Sequence, residues 1–119
     1  MPNVFKDQAA FMKAGGQTVG ETNAAQFGLY KKLIKEEYTE LVEATCQIEE
    51  LDALIDILVT TIGAIHSMGA DAEGAWKEVM RSNFSKIDKE TGMVRKREDG
   101  KIMKPVGYSP PDLAPFLKR

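Results

Sequence analysis

The chain has 119 residues, 43% hydrophobic and 29% charged, with a formal net charge of −2. That length supports one domain with one modest core. The near-neutral balance excludes a nucleic-acid or membrane partner recognised by whole-chain charge. A single cysteine, Cys46, excludes an intrachain disulfide and fits a reducing, cytoplasmic compartment.

The opening stretch MPNVFKDQAAFMKAGG carries an acid and has no long apolar run, so no signal peptide is expected. It predicts a short helix over Val4–Ala14 that stops at Gly15-Gly16, with Phe5, Phe11 and Met12 read as core rather than as a wall for a nucleobase. The loop GGQTVGETN lacks the GK[ST] of a phosphate-binding P-loop. Thr22 or Asn23 then caps a long helix over about residues 24–45. A second long helix runs over about 48–68 and ends at Gly69, a glycine placed just past a helix end. Its apolar run is interrupted by Asp52 and Asp56 and is too short and polar to span a membrane. Asp71 caps a third helix over about 72–86, with Trp76, Val79, Met80 and Phe84 as its core face. Beyond Lys86 the pattern alternates. It predicts a small hairpin with strands near 93–97 and 101–104 and a turn at 98–100, followed by a Pro-rich tail, SPPDLAPFLKR, with one helical turn from Pro111. The whole reads as a single domain over 1–119, with about 87–119 an extension.

Charge is distributed unevenly. Residues 36–76 hold ten acids and no Lys or Arg, whereas residues 77–119 hold eleven Lys or Arg and six acids. At 100° per residue, Tyr30, Leu33, Ile34, Leu41 and Ala44 all fall within about 60° of Glu37, which therefore sits in the middle of an apolar face. Glu40 lies about 60° to one side, and Lys31, Lys32 and Lys35 lie on the opposite face. On the next helix Glu49, Asp52 and Asp56 share one stripe. That stripe continues with Ala53, Thr60, Gly63, Ala64 and Ser67 rather than with charge, as a purely solvated face would. The main apolar stripe, Leu51, Leu54, Ile55, Leu58, Ile62 and Ile65, lies on the other side, so the helix is expected to be covered on both. Clustered carboxylates among apolar residues are costly unless a cation pairs them. An all-oxygen ligand set on two antiparallel helices favours Mg²⁺ or Mn²⁺ over zinc.

The segments that carry these acids, EEYTE (Glu36–Glu40) and EELD (Glu49–Asp52), resemble the EExxE…ExxD signature of the all-α nucleoside triphosphate pyrophosphohydrolases. This is the superfamily of MazG, phosphoribosyl-ATP pyrophosphohydrolase and dimeric dUTPases. DALIDILVTTIGAIHSMGAD is similar to that family's second helix and following turn. EVMRSNFSK and DGKIMKPVGYSPPDL are similar to the tail of one bacterial and phage subgroup, and the likeness covers about residues 28–117. It implies an all-α helical bundle of MazG type, completed by oligomerisation, and hydrolysis of NTP to NMP and pyrophosphate with Mg²⁺. By motif position it implies Glu37, Glu40, Glu49 and Asp52 as metal ligands, Glu36 as a ligand or water-orienting acid, and Asp56 as a further ligand. Only eight residues separate Glu40 from Glu49, fewer than many members have, which leaves Glu50 as the alternative to Glu49.

The reaction needs a base for water, for which Glu36 or Glu37 is placed, and positive charge on the leaving pyrophosphate. The resemblance implies Asn83 and Lys86 as phosphate or sugar contacts, with Lys101 and Lys104, on the hairpin, as weaker candidates. Arg81, Lys32 and Lys35 read as solvated polar residues, His66 as packed and Cys46 as inert. Three main helices leave surface uncovered, so a homodimer or tetramer is expected. Two alternatives stand beside the leading reading of nucleotide-pool house-cleaning. One is phosphoribosyl-ATP hydrolysis in histidine synthesis; the other is a non-catalytic helical interaction protein stapled by metal.

Overall fold

A computed structural model describes residues 2–117. The protein is all-helical, and no strand forms among the described residues: α1 (Val4–Ala14), α2 (Ala24–Glu43), α3 (Gln47–Ser67) and α4 (Ala72–Phe84) are followed by a 3₁₀ turn at Ala114–Phe116. It divides into two compact units, one running to Ala72 and the other spanning Glu73–Phe116.

In the first unit each helix start has a physical cause. Asn3 caps α1 by accepting a hydrogen bond from the Lys6 amide at 3.0 Å, and Asn23 caps α2 from the Gln26 amide at 3.0 Å. Gly16, at φ +75°, lets the chain leave α1. The loop between α1 and α2 is tied down by Gln26. Its Oε1 accepts from the Thr18 amide at 2.9 Å, and its Nε2 donates to the Thr18 carbonyl at 2.7 Å and to Ser67 Oγ at 2.9 Å. The Asn23 amide donates to the Ser67 carbonyl, and Thr22 makes a single antiparallel bridge to Met68. Gly69, just past α3, combines φ +74° with a close approach: a Cβ there would lie 3.0 Å from the Thr22 nitrogen.

α2 packs against α3, and α1 packs on α3 as well. The core is Met12, Tyr30 and Ala64, flanked by Val19, Phe27, Leu33 and Ile34. Tyr30 lies directly on Gly63, where a Cβ would run into its ring, and its hydroxyl donates to Gln17 Oε1. The buried stripe of α3 is thus the one made of small residues, Ala53, Thr60, Gly63, Ala64 and Ser67. The stripe expected to be the main one is different: Leu51, Leu54, Ile55 and Leu58 are exposed in this chain, and of it Ile62 is buried. Small residues win because they let α2 approach closely; the leucines point away from both α1 and α2. His66 is packed as expected, one ring nitrogen 2.8 Å from the Phe5 carbonyl. Phe11, expected in the core, is exposed, whereas Met12 is buried.

In the second unit α4 exposes Trp76 and Phe84 and half-buries Val79 and Met80, so the expected core face is only partly used. The hairpin expected near 93–104 is not formed as strands. Isolated antiparallel bridges join Ile87 to Val94 and Lys96 to Ile102, with Gly100 at φ +88° in the turn. Two short segments with no third strand to pair with are marginal as a sheet. The helical turn of the Pro-rich tail falls at Ala114–Phe116 rather than from Pro111, and the tail's last two residues lie outside the described ones.

Candidate metal centre

The last two turns of α2 and the middle of α3 bring three carboxylates together. One oxygen each from Glu37, Glu40 and Asp56 lies within 4.8 Å of the others. Glu37 and Glu40 are one turn apart on α2, and Asp56 comes from the antiparallel α3. The packing that buries Tyr30 on Gly63 therefore also fixes how the acids face one another. Glu37 is partly buried and its Oε2 is sealed from solvent with no hydrogen-bond partner. Such an atom is uncommon in a folded protein and calls for an explanation.

The electrostatics agree with the geometry. Burial pushes the Glu37 carboxyl up from its usual range; a hydrogen bond shared with Glu40 and the negative fields of Glu40, Asp56 and Asp52 push it further. Burial likewise raises Asp56, followed by repulsion from Asp52 and Glu40. No basic side chain offsets these effects among the described ion pairs, which join only Arg81 to Glu78 and Arg97 to Asp99. A divalent cation on Glu37, Glu40 and Asp56 would satisfy the orphaned oxygen and cancel the mutual repulsion in one step. The residues present fit such an ion.

The remaining acids lie around this trio. Asp52 is exposed and close enough for its charge to act on both Glu37 and Asp56. It lines, with Glu40, Glu43, Ala44 and Glu49, an open cleft of about 320 Å³. Glu49 is engaged elsewhere: its Oε1 accepts from the Thr45 amide at 3.0 Å, from Thr45 Oγ1 at 2.8 Å and from Cys46 Sγ at 3.5 Å. These donors hold its carboxyl below the usual range and close the short turn between the helices. Glu36 is exposed, one residue before the trio. Glu43 was not singled out from sequence, although its place one turn beyond Glu40 on the same side of α2 is the signal that finds it.

The basic candidates belong to the second unit. Asn83 is exposed and accepts from Lys86 Nζ at 3.2 Å. Lys101 and Lys104 are exposed, and Lys104 Nζ sits 5.0 Å from the centre of the Tyr108 ring. Arg81 is engaged in an ion pair with Glu78 at 2.7 Å.

A family model described as phosphoribosyl-ATP pyrophosphohydrolase matches residues 14–83, a stretch that holds every acid of the cluster. Among curated proteins, none matches the chain.

Proposed function

Because the chain belongs to the phosphoribosyl-ATP pyrophosphohydrolase family, within the all-α MazG-like superfamily, we propose that it is a magnesium-dependent nucleoside triphosphate pyrophosphohydrolase. In this reading it cleaves NTP or dNTP to NMP and pyrophosphate, in control of the nucleotide pool. The observation that carries the reading is the Glu37–Glu40–Asp56 cluster with its buried, unpartnered Glu37 oxygen. Glu37, Glu40 and Asp56 would hold Mg²⁺ (or Mn²⁺), with Asp52 and Glu49 at the adjoining cleft as further ligands or orienting acids. When bound, the ion supplies positive charge to the phosphate oxygens.

The chain's own residues do the rest. Glu36 takes the proton from the attacking water, with Glu37 the other candidate for this base. The water oxygen bonds to the α-phosphorus as the bond to the bridging oxygen breaks, and the pyrophosphate leaves with its charge neutralised. Asn83, Lys86, Lys101 and Lys104 are the proposed contacts to substrate phosphate or sugar. We treat both compact units as parts of one pyrophosphohydrolase domain. No helix among the described residues is long and apolar enough to cross a membrane. The lone, exposed thiol of Cys46 is in keeping with a cytoplasmic enzyme.

Self-assembly belongs to the same reading. Ile48, Leu51, Leu54, Ile55 and Leu58 of α3, with Tyr38 and Val42 of α2, are 44–83% exposed. Large apolar side chains exposed in this number along a helix suit a contact surface. A second copy of the chain, as dimer or tetramer, is the proposed cover.

The family match favours one second reading, in which phosphoribosyl-ATP itself is the substrate. One experiment addresses both. Pyrophosphate release is measured from a panel of NTPs, dNTPs and phosphoribosyl-ATP, with Mg²⁺ and with chelator, for the wild type, Glu37→Gln and Asp52→Asn. Magnesium-dependent release that both substitutions abolish, with helicity unchanged, is the expected result, and the preferred nucleotide chooses between the readings. No release from any nucleotide would leave a metal-stapled assembly instead.

A further inference from the structure

Within the second unit two ammonium groups converge on one aromatic ring. Lys86 Nζ lies 5.8 Å and Lys104 Nζ 5.0 Å from the centre of the Tyr108 ring. Both are cation–π distances, and a ring face attracts a cation whatever else surrounds it. Neither lysine pairs with a carboxylate among the described residues; Lys86 donates only to the neutral Asn83 carbonyl oxygen. Two positive charges gathered on one ring repel each other, and their combined field favours an anion with several negative oxygens.

The ring is held in place by the backbone on either side of it. The Tyr108 amide donates to the Pro105 carbonyl at 3.0 Å, forming a turn. The next residues are fastened to α4. The Ser109 amide donates to Ser85 Oγ at 2.9 Å, Arg81 Nη2 donates to the Pro110 carbonyl at 3.1 Å, and the Asp112 amide donates to Glu78 Oε2 at 2.8 Å. The hydrogen-bonded Arg81 guanidinium and the Asp112 amide hold the Glu78 carboxyl down to about 2, so this fastening persists through the neutral range. Glu78 and Arg81 thus have a use that their ion pair alone does not explain: together with Ser85 they fix the segment that presents Tyr108.

We propose that Tyr108 is a positioning residue that gathers Lys86 and Lys104 into one site for a di- or triphosphate group, held by the clasp of Glu78, Arg81 and Ser85. The inference rests on the reading of Lys86 and Lys104 as phosphate contacts. Its test is calorimetric titration of inorganic pyrophosphate, in magnesium-free buffer, into the full-length wild type and its variants. Tyr108→Leu is expected to weaken binding about tenfold, whereas Tyr108→Phe keeps the ring face and binds like wild type. Lys104→Gln leaves ring and clasp intact and should cost a similar factor, so the inference remains testable if Tyr108→Leu does not fold. In turnover assays Tyr108→Leu should raise KM and weaken product inhibition by pyrophosphate while kcat changes little; a purely structural role would not split them. Wild-type affinity in Tyr108→Leu or Lys104→Gln, an equal loss in Tyr108→Phe, or no saturable pyrophosphate binding by the wild type overturns the inference. Pyrophosphate binding with this pattern but no hydrolysis of any nucleotide supports the inference and removes the proposed function instead.

Discussion

Replacing Glu37 with glutamine should move stability and metal response in opposite directions. Glu37 Oε2 is buried without a hydrogen-bond partner, and an orphaned buried polar group costs about 1–3 kcal/mol. Burial and three neighbouring acids also oppose ionisation of this carboxyl. A glutamine amide has nearly the same shape, carries no charge, and brings two N–H donors to a place where carboxylate oxygens of Glu40 and Asp56 lie within 4.8 Å. In chelator the Glu37→Gln protein should therefore be more stable than wild type by about 1 kcal/mol, or about 4 °C in melting temperature. With magnesium at a hundredfold excess over its dissociation constant, the wild type should gain about 2.7 kcal/mol and the variant little. The two melting curves then change order between chelator and magnesium. Circular-dichroism melts in both buffers, with pyrophosphate release measured in parallel, check this. A variant that melts below wild type in chelator, or that keeps the full magnesium shift, would refute the assignment of Glu37 to the ion.

Three further outcomes are expected. Glu37 and Asp56 both have raised carboxyl values, so the folded, metal-free protein holds protons that the unfolded chain has already released. Metal-free stability should consequently fall as pH rises from the ordinary carboxylate range through the raised values; melts from pH 5 to 8 should show this decline, smaller in Glu37→Gln. Gly63→Ala should destabilise by about 1–2 kcal/mol, since overpacking against the Tyr30 ring outweighs the gain in helix propensity. Urea midpoints measure that loss, and adding Tyr30→Leu should restore part of it. Leu54→Glu combined with Leu58→Glu should leave helicity intact, because both side chains are exposed in the single chain, but yield monomers in sedimentation velocity. Assembly unchanged in that variant would place the contact surface elsewhere.

Much of the candidate site's geometry could be read from helical periodicity. Counting 100° per residue placed Glu37 among Tyr30, Leu33 and Leu41, and the fold indeed buries one of its oxygens there. The same counting set Asp56 on the stripe of small residues, which is the face that α2 covers. Periodicity failed where the covering element mattered. Leu51, Leu54, Ile55 and Leu58 form the stronger apolar stripe, yet hydropathy cannot say whether a face meets its own chain or something outside it. Phe11, Trp76 and Phe84 are exposed for the same reason. Glu49 shows a different limit: its spacing resembles a ligand's, but the donors of Thr45 and Cys46 become visible only once the turn has closed. Tyr108 carried no signal, because its two lysines are 22 residues before it and four residues before it, with no regular element to relate them.

The ties on the α2–α3 pair have a consequence for which ions it can accept. At one end Gln26 joins Ser67, and Asn23 and Thr22 bond the backbone of Ser67 and Met68. At the other, the short link Ala44–Cys46 is cinched by Glu49. Anchored at both tips, the two rods have little freedom to spread where the acids sit. A cation as wide as calcium, which prefers longer bonds and more ligands than magnesium, would have to pry them apart. Discrimination by ionic radius would then be set by the cross-links at the two ends of the helix pair.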